Sequence, residues 1–444
     1  MQQIAVPVVS AVVPVQSTPP DAAGPSTTRT TDATPPRSSD VHLLRRPVFH
    51  PDLSLAGYGL LVDSQAATDA DRTAGLVSAL QEAPTSVLGG GGVLLVRLTL
   101  PLLLGEAELP APDGLLLLEV DEADLDLPGA VPGRTAAVVE GLRGLAAAGH
   151  VLCLVGTVWS PSLRPLLSLF RLARVDISRV GSAGLTALAI RLREHETALF
   201  VTEVATLGHL DACRRVKARL VAGELVSRPP VVPDEALSPG HVACLRLAAA
   251  LVRPDVDLTE IELAVRSDPA LTMRVLKAVN AASGGLRQRV SSIRQAVVLL
   301  GPRVLLASVL TAGLLQGGAT CPPEAVEALL VRAHMCELLA TITVPNADPA
   351  EPALDGSSAF TVGLVAALDG LLGAPLEDIV AELPVDEPVE SAVLRHSGRL
   401  GAVLADVLAY EAGTAPQHAD LATLRTLYLA SLSWAAPLVA GAPA

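Results

Sequence analysis

RSDPALTMRVLKAVNAASGGLRQRVSSIRQAVVLLG, residues 266–301, reads as two capped helices joined by a glycine turn. Asp268 stands as N-cap before Pro269, at the first helical position, where a missing amide hydrogen costs nothing. Leu271, Val275, Leu276 and Val279 make one apolar stripe, and Gly284 with Gly285 supplies the left-handed geometry that ends the helix. Ser292 and Gln295 then form a capping box, each side chain able to satisfy the other residue's orphan amide. Ile293, Ala296, Val297 and Leu300 build the second buried face, which Gly301 and Pro302 stop. The stretch is strongly structured and carries no catalytic constellation, which points to a binding or signalling module.

Four short motifs run through this region in order: Asp268-Pro269-Ala270-Leu271, Asn280-Ala281-Ala282, Ser292-Ile293-Arg294-Gln295-Ala296 and Leu300-Gly301. In them the chain resembles the HDOD family, a non-catalytic relative of the HD phosphohydrolase helical domain. The resemblance continues through ALLVRAHMCELLA (residues 328–340), the stretch at 359–384 and GRLGAVLADVLAYEAG (398–413). HD phosphohydrolases need an adjacent His-Asp pair and further His residues to hold their metal ions. None of the nine His here is followed by Asp, and they are scattered from His42 to His418. His334, on a helix expected over residues 324–341, reads as a satisfied core or surface residue, so no metal is expected in this half.

Half of the residues are apolar, but the aromatics number only two Trp, three Tyr and four Phe, so the cores must be built from Leu, Val and Ala. A net charge of −14 argues against nucleic-acid binding, which needs a positive surface to displace counterions. Five well-separated cysteines, Cys153, Cys213, Cys244, Cys321 and Cys336, suit a reducing interior better than a disulfide framework. The N-terminus lacks a basic region and is broken by Pro7 and Pro14, which argues against a signal peptide. Two uncharged stretches, 144–163 and 426–444, are interrupted by Gly149, His150 and Pro161 in one and by Ser431, Ser433 and Pro437 in the other. They read as a short buried strand and a last docked helix rather than membrane spans. A cytoplasmic protein with no membrane partner is expected.

Residues 1–45 are rich in Pro, Thr, Ser, Ala and Asp and are expected to be a disordered tail. Beyond them, apolar runs at 57–62, 93–98, 115–120, 151–155, 174–177 and 199–204 alternate with helical windows. That alternation implies a parallel sheet with crossovers, and six or more units imply a barrel. RRPVFHPDLSLAGYGLLVDS (residues 45–64) and GELVSRP (223–229) resemble the opening and closing signatures of an EAL domain, the fold that hydrolyses cyclic di-GMP, in the shortened form that precedes HDOD domains. The expected fold class is α/β plus all-α: a shortened TIM-like barrel of EAL type over residues 46–235, then an HD-related helical domain over 236–444.

The resemblance also implies a catalytic set, a cluster of hard oxygen ligands around two divalent ions. Position by position this chain departs from it. The signature glutamate is Gly59, the metal-binding asparagine is Arg97, and the paired aspartates read Val155-Gly156. The lysine expected near Val175 is missing, with Asp176 beside it; two late glutamates align with Thr202 and Ala205, and Glu203 stands where a glycine is usual. Only Glu122, in Glu119-Val120-Asp121-Glu122, keeps a ligand position, as a vestige or as a surface carboxylate. From this the chain is expected not to be an enzyme, with no catalytic, cofactor-binding or metal residues.

Between Pro269 and Pro323 stand six basic residues, Arg274, Lys277, Arg287, Arg289, Arg294 and Arg303, and no acidic one. They are a candidate patch for a phosphate-bearing ligand or an acidic partner surface; the alternative is a solvated face whose aliphatic stems cover apolar neighbours. Asn280 could orient a ligand or bond a nearby loop carbonyl. The expected function is therefore regulatory: contacts of the HDOD domain with other signalling proteins, with the barrel as docking or homodimerisation platform. Two alternatives stay open, a cyclic di-GMP sensor that binds without hydrolysis and a residual cyclic di-GMP phosphodiesterase.

Overall fold

Eight strands close into one barrel in the computed structural model. It describes residues 41–63, 68–125, 134–156, 166–227, 323–342 and 354–440 except 373, 382 and 384, together with isolated positions between 247 and 309. β1 (His42–Phe49) and β2 (Leu55–Asp63) form an antiparallel hairpin, and β2 starts a parallel series. The series runs through α1 (Asp69–Glu82), α2 (Thr85–Leu88), β3 (Val93–Arg97), α3 (Leu100–Leu103), β4 (Leu115–Asp121), α4 (Glu122–Leu125) and α5 (Arg134–Ala147). It continues with β5 (Val151–Val155), β6 (Phe170–Asp176), α6 (Ile177–Arg193), β7 (Ala198–Thr202), α7 (Leu207–Val216), β8 (Leu220–Val221) and α8 (Glu224–Ser227). Phe49 pairs with Val221 and shuts the barrel.

The strand period of two sorts the side chains. Val48, Val93, Leu95, Leu117, Cys153, Leu172, Phe200 and Leu220 meet in one interior layer. Their neighbours Leu94, Val96, Leu116 and Leu118 face outward into a second core. The six expected runs all appear as strands, whereas β1 and β8 were not foreseen. β8 is only two residues long, and β1 carries Arg45, Arg46 and Pro47, which mask an apolar pattern.

After the barrel come α9 (Pro323–Thr341), α10 (Gly356–Val365), α11 (Leu368–Leu372), α12 (Leu376–Ala381), α13 (Glu387–Arg395), α14 (Gly398–Glu411) and α15 (Leu421–Ala440). The helix expected over residues 324–341 is α9. His334 is satisfied as expected of a core histidine: its ring stacks on Trp434 at 4.3 Å and Nδ1 lies 3.0 Å from Ser431 Oγ. Asp355 caps α10 by accepting from the amides of Ser357 and Ser358. Gly363 lets α9 and α10 cross closely, since a Cβ there would come within 2.8 Å of Ala333 Cα. In the stretch that opened the sequence reading, the Gln295 amide donates to Ser292 Oγ at 3.2 Å, one half of the expected capping box. Asp268, Pro269, Asn280 and the basic set Arg274, Lys277, Arg287, Arg289, Arg294 and Arg303 lie outside the described residues, as does the tail up to residue 40.

Barrel and helices share a single apolar core, in which Leu43 and Leu60 join Leu329 and Val407. Polar groups are buried in the same seam. Arg45, 5% exposed, reaches from β1 to Glu327 of α9 at 3.0 Å and donates to the carbonyls of Val87 and Leu88. Tyr58 of β2 donates to the same Glu327 oxygen at 2.9 Å, and its ring lies 4.0 Å from the Arg45 guanidinium. Arg425 of α15 bonds Glu82 and Ser78 of α1, and the Tyr410 hydroxyl donates to the Leu43 carbonyl. Cys153, Cys213 and Cys336 are buried free thiols. Among the described residues no helix is long and apolar enough to cross a membrane.

Glu324, one turn before Glu327, feels both burial and its neighbour's charge, which push its carboxyl up from 4.5 to about 7. A raised acid contributes stability that is fully present below its unfolded value and lost as pH rises through the folded one. The wild type should therefore lose stability relative to Glu324→Gln between about pH 4.5 and 7. Urea midpoints of both proteins across that range check this; parallel curves would refute it.

Candidate functional site at the barrel mouth

In parallel α/β barrels the functional groups gather where the strands end, at the C-terminal face. Here those ends carry Arg97 on β3, Asp121 on β4 with Glu122 after it, Val155 on β5 with Gly156 after it, Asp176 on β6 and Thr202 on β7 with Glu203 after it. Arg97, Glu119, Asp121 and Arg174 continue the inward-facing positions above the apolar layer, because Arg97 pairs with Glu119 and Asp121 with Val155 in register, and Val155 with Arg174.

The charged groups at the mouth mostly hold one another. Arg97 Nη2 donates to Asp121 Oδ2 at 2.8 Å, while Asp121 Oδ1 accepts from the Ala123 amide and so starts α4. Arg174 Nη1 donates to both oxygens of Glu119, at 3.1 and 3.0 Å, and its guanidinium lies 5.6 Å from the Phe200 ring. Glu119 is only 6% exposed, whereas the Arg174 side chain is 38% exposed, so the pair ties a buried carboxylate on β4 to a partly solvated guanidinium on β6. Asp176 is the N-cap of α6, accepting from the amide and hydroxyl of Ser178, with Arg179 Nε at 3.2 Å. Burial pushes the Cys153 thiol up, and the Glu119 carboxylate beneath the mouth pushes it further, which makes it inert.

Glu122 stands where the sequence reading put its single retained ligand position. Its carboxylate lies over Gly156: a Cβ built on that glycine would come within 2.3 Å of Glu122 Oε2. The space that a side chain at residue 156 would need is thus filled by Glu122. Glu203 has φ 60, a left-handed conformation, which explains why a glycine suits that position. Arg174 escaped the sequence reading, which named Asp176 as the charge beside Val175. Counting the strand period from Leu172 places Arg174 inside the barrel and could have found it.

Two divalent ions need several oxygen ligands converging on one point. Among the described residues no three His, Cys, Asp or Glu side chains come together to hold a metal ion. Glu119, Asp121 and Asp176 are instead committed to arginines and helix caps. The residues present do not fit the two-ion centre that the resemblance implies.

The family comparison addresses the other half of the chain. Residues 238–374 match the HDOD domain model. The chain carries an HDOD domain. It is also similar to the cyclic di-GMP phosphodiesterase CdgJ of Vibrio cholerae, 29% identical over 267 residues, which are 60% of this chain and 60% of that protein. The match therefore spans about three-fifths of the curated relative's length. Among solved structures, the PaMucR phosphodiesterase in complex with c-di-GMP shares 17% identity and covers 44% of this chain and 98% of its own, with a TM-score of 0.35. An EAL domain protein from Listeria monocytogenes shares 15% identity and covers 43% and 88%, again with a TM-score of 0.35. The expectation that this chain is not an enzyme is corrected by the first of these: a relative 29% identical over 267 residues is named a cyclic di-GMP phosphodiesterase. The expectation had rested on counting missing ligands against a family pattern, and such a count does not test turnover.

Proposed function

We propose that this protein is a cyclic di-GMP signalling protein with residual phosphodiesterase activity, its substrate taken at the C-terminal mouth of the barrel. The similarity over 267 residues to a protein named a cyclic di-GMP phosphodiesterase carries this reading. The acidic strand ends at Glu122 and Asp121 support the location. Glu122 is the residue we assign to the reaction, because its carboxylate overhangs the end of β5 at the mouth of the barrel. A positioned carboxylate that takes up a proton contributes about 10²- to 10⁴-fold to a rate.

The HDOD domain supplies the regulatory half of the reading, contacts with other signalling proteins, and a second copy of the chain is one candidate partner. Purified full-length protein incubated with cyclic di-GMP and magnesium or manganese should yield the linear dinucleotide, followed by chromatography. Glu122→Gln should lower that rate by about 10²-fold. Binding in calorimetry with no linear product at high protein concentration would leave a ligand-binding protein and defeat the phosphodiesterase reading.

A further inference from the structure

The opposite face of the barrel holds a second feature, independent of the mouth. The turn over residues 50–54 enters β2 at its N-terminal end, and residues 217–219 enter β8 at its N-terminal end. Between them lies an open cleft of about 640 Å³, lined by His50, Pro51, Asp52, Arg214, Lys217 and Arg219. Three cationic side chains within six residues of sequence thus meet at one cleft in a chain of net charge −14.

Two local carboxylates, Asp52 and Asp211, offset part of this charge, against three cations. Asp52 is spent on its own turn, accepting from the Ser54 amide at 3.0 Å and the Ser54 hydroxyl at 2.6 Å. Asp211 pairs with Arg214 Nη1 at 3.5 Å. Arg214 is held in place by its Nε, which donates to the Pro51 carbonyl at 2.9 Å, and His50 Nδ1 lies 3.2 Å from the Arg219 carbonyl. These two bonds tie the walls together, and the first anchors the Arg214 guanidinium through Nε.

The backbone adds a separate observation. Both walls contain a non-glycine residue in the left-handed region, Leu53 at φ 72 and Lys217 at φ 57. Such conformations are costly for residues with a Cβ, above all a branched apolar one, and they persist where the surroundings or a function require them. At Lys217 the left-handed turn ends α7, and Lys217 lines the cleft together with Arg219.

We propose that this cleft binds a phosphate-bearing small molecule of about mononucleotide size, with Arg214 as the anchored guanidinium fork and Lys217 and Arg219 as flanking charges. Planar guanidinium donors match phosphate oxygens in pairs, and lysine supplies a mobile point charge. The site is distinct from the mouth, so its ligand and cyclic di-GMP bind without competing.

Calorimetry on the full-length chain at low salt, with adenosine monophosphate and with inorganic phosphate as separate probes, tests the proposal. Saturable binding of the nucleotide is expected, weakened by added salt and unchanged by excess cyclic di-GMP. The triple variant Arg214→Gln, Lys217→Gln, Arg219→Gln should bind at least about tenfold more weakly. Lys217→Gly alone should also weaken binding while the melting temperature stays level or rises, since glycine accepts the left-handed backbone. The single variant decides the matter even where the triple variant does not fold. Absence of binding by the wild type, undiminished binding by Lys217→Gly, or displacement of the nucleotide by cyclic di-GMP would overturn the site.

Discussion

Replacing Glu327 with alanine is expected to lower the stability of the chain by about 3–5 kcal/mol, the usual cost of stranding a buried charge. Glu327 lies 5% exposed on α9, where Arg45 meets it at 3.0 Å and the Tyr58 hydroxyl donates to the same oxygen at 2.9 Å. Burial works against the charged guanidinium of Arg45, but Glu327, Tyr58 and Tyr428 together hold its pKa above the ordinary arginine value. Without Glu327 the guanidinium keeps the Val87 and Leu88 carbonyls and the tyrosines but loses the carboxylate that balances its charge. Because Arg45 belongs to β1 and Glu327 to α9, the loss should loosen the barrel–helix seam in particular. Urea denaturation read by far-ultraviolet circular dichroism measures the total, and hydrogen exchange across β1 and α9 shows where it falls. A double variant, Arg45→Met with Glu327→Leu, should recover most of the loss, since apolar replacements of a buried pair are often neutral. A single variant within about 1 kcal/mol of wild type would show that water reaches the seam.

The second large effect is expected at Asp406 of α14. This carboxylate is 2% exposed, and it accepts from three consecutive amides, Gln417 at 2.8 Å, His418 at 3.1 Å and Ala419 at 2.7 Å. It fastens the connection that turns α14 back into α15. Asp406→Ala leaves those amides without their acceptor, and charge-assisted hydrogen bonds contribute about 1.5–3 kcal/mol each before partial rescue by water. We expect a net loss of about 3 kcal/mol and raised proteolytic sensitivity at residues 414–420. Asp406→Asn keeps one acceptor and should lose roughly half as much. Equal stability of the alanine variant and the wild type in thermal denaturation would refute the assignment.

Glu327 and Asp406 are both acidic residues on helices, a type that composition would place in solvent. Nothing local marks them as buried, and the partners that decide it lie 282 and 11 residues away in the chain, at Arg45 and at Gln417. β1 shows the same effect from the other side. Arg45 and Arg46 are adjacent and alike in sequence, yet the first carries a nearly inaccessible side chain while the second is exposed. Arg174 differs: the strand period from Leu172 already points it inward, and what the sequence does not give is its meeting with Glu119 two strands away.

Strand and helix order, the apolar runs of β2 to β7, the helix over residues 323–341 and the resemblance to HDOD domains were legible in the sequence alone, since periodicity and capping are properties of neighbours along the chain. The closure of the barrel by β1 and β8, the ion pairs that occupy its mouth, the Glu122 carboxylate over Gly156 and the buried seam between barrel and helices were decided by the tertiary structure. Each depends on which distant groups meet at one point, and on the cost of burying a charge there, and the spacing of residues along a chain encodes neither.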